Sequence, residues 1–115
     1  MELFIDTTER GKLVFGLIHD RKTVTKQFGV EKLSESLLIF LKKFLQTNKV
    51  KLADLEKIRV NPGPGGFAST RTGVATANAL AYALGIPVAE YPKGKPKVMV
   101  LPKYDRLPNI TKPKR

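Results

Sequence analysis

A chain of 115 residues carries one modest hydrophobic core and no second full domain, so a cleft between two domains would need its other wall from a partner. Twenty-one Lys and Arg against ten Asp and Glu leave a formal charge of +11, a balance suited to phosphate backbones, nucleotides or an acidic protein face. The absence of cysteine excludes a disulfide framework, a thiolate metal site and a cysteine nucleophile, and it fits a reducing, cytoplasmic setting.

The opening "MELFIDTTER" has neither the basic start nor the apolar run of a signal peptide, and no apolar run approaches the roughly 20 residues that span a bilayer. A membrane role is therefore not expected. "ELFID", "KLVFGLIHD" and "KTVTKQF", rich in β-branched and aromatic residues and separated by turn signals, predict an antiparallel meander. Leu33, Leu37, Phe40, Leu41, Phe44 and Leu45 recur at steps of mostly three and four residues, which predicts an amphipathic helix from about Glu31 to Asn48. Leu38 and Ile39 widen its apolar stripe, so the fold or a partner covers more than one side.

A short turn and a strand near Lys57 to Asn61 follow. From Ser69 to Leu84, "STRTGVATANALAYAL" reads as a helix whose small side chains let it lie close to a sheet, ended by Gly85 and Pro87. "IPVAEY" predicts one more strand. The order, meander then helix, strand, helix, strand, is an α/β sheet continued through crossover units. Residues 1–91 make this domain, and residues 92–115 form a basic, proline-rich segment with eight Lys or Arg against Asp105. Its prolines predict an extended segment draped over the domain.

Two motifs bear on chemistry. "VNPGPGGFASTRTG" brings glycines to a helix N-terminus, where backbone N–H groups can hold an anion, yet it has no Walker lysine and its two prolines remove donors. The residues leave both a tight turn and an anion site open, with the turn favoured. Arg71 falls in the predicted first helical turn, where a cation opposes the dipole and calls for an anionic partner. Asp6, with Thr7 and Thr8, ends the first strand and either caps its own turn or faces a phosphate or metal. His19 is the one histidine; without Cys or a second His it cannot complete a usual transition-metal site, and no serine has a credible histidine base.

"LFIDTT", "LSESLLIFLKKFL" and "LADLEKIRVNPGPGGFASTRTGVATANALAYALGIPV" together resemble the N-terminal half of the TsaB (YeaZ) family, over residues 1 to about 90. The resemblance implies the N-terminal domain of an actin-like, Hsp70-like (RNase H-like) ATPase fold. It implies work in forming threonylcarbamoyladenosine next to the anticodon of tRNA, where TsaD transfers the group, TsaE assists as an ATPase, and TsaB is a non-catalytic partner that docks on TsaD through helices or pairs with itself. On that footing Leu33, Leu37, Phe40, Leu41 and Phe44 form the partner interface. Asp6, Thr7, Gly63, Gly65, Gly66 and Arg71 form the remnant of a nucleotide or phosphate site. No catalytic residue, metal or required cofactor is assigned, and ATP or ADP would bind only at a site that a partner completes. Leu33 stands where family members commonly carry His. "LPKYDRLPNITKPK" resembles the end of full-length members, so the chain reads as a shortened form lacking most of the second domain. The rival of another class is a stand-alone nucleic-acid-binding module that contacts tRNA through the basic tail with Tyr91 and Tyr104.

Overall fold

Alternation of buried and outward residues along the strand segments of the first sixty positions builds a sheet with one face turned to the core. The computed structural model describes residues 1–103. Strands β1 (Glu2–Asp6), β2 (Lys12–His19) and β3 (Lys22–Gly29) form the antiparallel meander. Helix α1 (Leu33–Thr47) and a 3-10 turn at Leu52–Asp54 lead to β4 (Lys57–Val60), which pairs parallel with β1. Helix α2 (Phe67–Leu84) then crosses to β5 (Val88–Glu90), parallel to β4. The sheet order is β3-β2-β1-β4-β5, so the first strand is central.

Leu3, Ile5, Leu13, Phe15, Leu17, Ile58, Val60 and Val88 share a cluster with residues of both helices, so α1 and α2 cover one face of the sheet. From α1 come Leu37, Leu41, Phe44 and Leu45, spaced for a single helical face; each contributes roughly 1.5–3 kcal/mol of burial before entropy is subtracted. From α2 come Val74, Ala77 and Ala81, and Gly85 ends the helix in the left-handed region at φ +69.

The opposite face of the sheet mixes polar side chains with Phe4, Val14 and Ile18. Phe4 stacks on Tyr91 with ring centroids 3.8 Å apart, and Gly16 opposite leaves room: a Cβ there would lie 3.2 Å from the Phe4 ring. Beside it the Arg59 guanidinium donates to Glu2 Oε1 at 2.8 Å and to the carbonyls of Glu90 and Gly94 at 3.0 and 3.1 Å, tying β1, β4 and the turn after β5 together.

After that turn the chain doubles back. Lys97 and Val88 exchange backbone hydrogen bonds at 2.7 and 3.1 Å on the outer edge of β5. Val100 is fully buried, and the Asn78 side-chain amide bonds both its N–H and its C=O at 2.9 Å. The extended, draped course predicted from the prolines is thus what residues 97–103 follow; Tyr104 and the last basic residues lie outside the described part. Among the described residues no helix is long and apolar enough to cross a membrane.

Candidate functional site

The C-terminal ends of β1 and β4 and the N-terminus of α2 meet at one edge of the sheet, and there the predicted site residues gather. Asp6 Oδ1 accepts from the Thr8 N–H at 2.8 Å and the Thr8 hydroxyl at 2.7 Å, the turn-capping pattern open to an Asp at a strand end. Asp6 Oδ2 accepts from Asn61 Nδ2 at 3.1 Å, which joins the β1 turn to the loop after β4. The Thr7 hydroxyl, buried, donates to the Ser69 carbonyl at 2.6 Å.

The glycine-proline loop is held from inside. Gly63, at φ +107, donates its N–H to Asn61 Oδ1 at 3.0 Å, and Gly66 donates to the Thr8 carbonyl at 2.9 Å. Gly65 is pressed against the β1 turn, since a Cβ there would come 2.6 Å from Thr8 and 2.8 Å from Thr70 Oγ1. The Lys103 backbone lies on Gly63 from outside, its N–H bonded to the Pro62 carbonyl. In this conformation two of the three glycine N–H groups that would hold a phosphate are turned inward, and the loop does not fit ATP or ADP. The tight turn, the favoured reading of the residues, describes it.

Arg71 stands differently from its expected place. Helix α2 begins at Phe67 rather than Ser69, so Arg71 is in the second turn, past the strongest part of the dipole. Its guanidinium is 5.9 Å over the Phe67 ring centroid, and among the described residues no carboxylate pairs with it. Among those residues the Ser69 and Thr70 hydroxyls are buried with no hydrogen-bond partner. A cavity of about 560 Å³ opens beside them, lined by Arg10, Glu31, Ser34, Phe67, Ser69 and Thr72 among others. Arg10 comes from the β1–β2 turn, Glu31 from the loop before α1 and Ser34 from the first turn of α1, and they have no shared sequence pattern that could have singled them out.

The five residues assigned to a partner interface divide. Leu37, Leu41 and Phe44 are buried in the chain's own core, and Leu33 and Phe40 pack partly against it, so the stripe read as an interface meets the sheet instead. Outward-facing apolar surface on α1 is carried by Leu38 and Ile39, 60% and 58% exposed. His19 lies exposed beside Asp20 at the tip of the β2–β3 hairpin, at the far end of the sheet from Asp6.

Comparison with known proteins follows the same outline. The model of the family described as "TsaD: tRNA N6-adenosine threonylcarbamoyltransferase" matches residues 17–90. A tRNA N6-adenosine threonylcarbamoyltransferase of Geotalea uraniireducens is 36% identical over 66 residues, 57% of this chain and 19% of that protein. An uncharacterized protein of Mycobacterium tuberculosis is 38% identical over 72 residues, 63% of this chain and 32% of its own length. The solved structure of YeaZ from Pseudomonas aeruginosa superposes with a TM-score of 0.70 at 25% identity, covering 77% of this chain and 41% of that one. A second solved structure, an uncharacterized protein similar to peptidase YeaZ of Pseudomonas aeruginosa, gives a TM-score of 0.71 at 24% identity and the same coverage. The chain therefore spans well under half the length of the relatives it matches, and its architecture is the actin-like, RNase H-like fold of YeaZ. With the matched family region running from β2 to β5, and the YeaZ fold beneath it, this chain belongs to the tRNA N6-adenosine threonylcarbamoyltransferase (TsaD) family as a TsaB-like member.

Proposed function

We propose that this chain is a non-catalytic docking partner of TsaD in forming threonylcarbamoyladenosine next to the anticodon of tRNA, with TsaE in the same assembly. Family membership supports work in this reaction, and a reaction on tRNA supports the cytoplasmic reading. The observation that carries the docking role is the outward pair Leu38 and Ile39 on α1, two large apolar side chains in water on the helical layer. Ala75 and Ala79 on α2 are also exposed, and such small side chains let another helix approach. A second copy of the chain would compete for the same helices.

The Asp6 to Gly66 edge, with Arg71 near it, is read as the remnant of a polyphosphate site that needs a partner to complete it. Asp6 has both carboxylate oxygens engaged in the turn, which suits a supporting part better than proton transfer. The experiment is co-purification with TsaD of the same organism, using the full chain and its Leu38→Glu, Ile39→Glu double variant. Loss of the complex with the fold intact supports this surface. A complex that survives the double variant rejects it, and a wild-type chain that never binds TsaD rejects the docking role.

A further inference from the structure

The sheet face away from the helices carries an aromatic stack. Phe4, Gly16 and Thr25 stand side by side there, since a Cβ on Gly16 would lie 3.2 Å from the Phe4 ring and 3.3 Å from Thr25 Cγ2. Tyr91 lies over Phe4 at 3.8 Å between centroids, so that Phe4 is buried while Tyr91 is 38% exposed. The turn that carries the tyrosine is well anchored: the Tyr91 N–H is bonded to the Val60 carbonyl at 3.0 Å, the Gly94 N–H to the Glu90 carbonyl at 2.9 Å, and the Arg59 guanidinium to the carbonyls of Glu90 and Gly94. Two positions along β3 on either side of Thr25, and so on its face, are Thr23 and Gln27, exposed like it. The acids of this side are engaged. Glu2 is paired with Arg59 and Lys57, Glu9 with Lys12, and Glu90 with Lys97 and Lys103, while Asp6 has both oxygens in hydrogen bonds. Lys93 and Lys95, beside Tyr91 in sequence, are exposed and have no carboxylate partner among the described residues.

We propose that this face binds an unpaired stretch of RNA, with one base stacked on the Tyr91 ring, base edges and ribose hydroxyls on Thr23, Thr25 and Gln27, and the flanking phosphates on Lys93 and Lys95. An open ring on a sheet, with hydrogen-bonding side chains beside it and cations at the rim, is the chemistry by which sheets hold single strands, because every base has a π-face to offer. A duplex hides those faces, so the site takes loops in preference to stems. The choice of RNA rests on the tRNA reaction of the proposed function, in which the anticodon loop is the unpaired partner. The surface itself is separate from Leu38 and Ile39, whose helix packs on the other side of the sheet.

The test measures fluorescence anisotropy of a labelled RNA hairpin bearing an anticodon loop, titrated with the full chain, beside the same stem as a loop-free duplex. Tyr91→Leu keeps an apolar cover on Phe4 but offers no ring, and it is expected to weaken hairpin binding about tenfold, while Tyr91→Phe leaves it unchanged. Lys93→Gln with Lys95→Gln is expected to reduce the slope of log Kd against log salt by about 1.4, at about 0.7 per phosphate on a single strand. NMR shifts at the Thr23, Thr25, Gln27 and Tyr91 amides are expected on adding the hairpin. Where Tyr91→Leu unfolds, the lysine pair and these shifts carry the decision. Duplex binding as tight as the hairpin, hairpin binding that Tyr91→Leu leaves intact, or an unchanged salt slope without shifts on this face overturns the proposal. Binding lost only on neutralising Arg106, Lys112, Lys114 and Arg115 also overturns it and assigns the RNA to the tail. Co-purification with TsaD is read separately: RNA bound without TsaD rejects the docking role alone, and TsaD bound without RNA rejects the RNA site alone.

Discussion

Gly73 on α2 lies against Thr7: a Cβ at position 73 would overlap the Thr7 hydroxyl oxygen, which is itself fixed on the Ser69 carbonyl at 2.6 Å. This close approach sets the α2 N-terminal half onto the end of β1. Gly73→Ala should gain about 1 kcal/mol of helix propensity and lose about 1–3 kcal/mol to overpacking, because the threonine cannot swing away without breaking its bond. A net loss of stability in urea unfolding is expected.

The Asp6 carboxylate joins the β1 turn to the loop after β4 through three hydrogen bonds. Asp6→Ala removes all three and leaves the Thr8 N–H and Asn61 amide short of partners, at a cost of about 2–4 kcal/mol. Asp6→Asn keeps an acceptor for Thr8 and should lose less. Chemical denaturation of the two variants gives the ordering, and equal losses would mean that the turn does not depend on the acceptor.

Helix α1 places a core side chain and an outward one at adjacent residues. Leu37→Ala, in the core, should cost about 2–5 kcal/mol, whereas Leu38→Ala, on the surface, should stay within about 0.5 kcal/mol of wild type. Thermal unfolding of the pair checks the assignment of faces directly.

How much of this was legible beforehand differs by feature. The meander showed in "ELFID", "KLVFGLIHD" and "KTVTKQF", rich in β-branched and aromatic residues between turn signals, and α2 stood out by its small residues and its Gly85 stop. Along α1, however, leucine is equally apolar at 37 and at 38; only the position of the sheet decides which one it buries, so the stripe did not reveal that Leu37, Leu41 and Phe44 go to the chain's own core. Asn78 gave no local signal either. An amide in mid-helix acquires its role from a backbone 22 residues away, just as Arg59 acquires Glu2 from 57 residues away.

Glu2 supplies the pH dependence. Partial burial raises its pKa, but the Arg59 hydrogen bond and charge, with Lys57 behind them, outweigh burial and hold the folded-state value below the ordinary 4.5. Being depressed in the folded state, it contributes stability that is fully present above 4.5 and lost as pH falls through the folded value. Glu90 is lowered from 4.5 in the same sense: burial raises it, and Lys103 and Lys97 more than offset that. Glu2→Gln should flatten the fall in melting temperature below pH 4.5, and the double change with Glu90→Gln should flatten it further.

β1 begins at the second residue and yet lies in the middle of the sheet, with Glu2 beside Ile18 on one side and Lys57 on the other. The antiparallel side of β1 is closed by its neighbour in sequence, but its parallel side is closed by a strand on the far side of α1, which draws together segments more than fifty positions apart. The central strand thus depends on both a local and a distant partner, and the distant pairing carries the larger loop-closure cost.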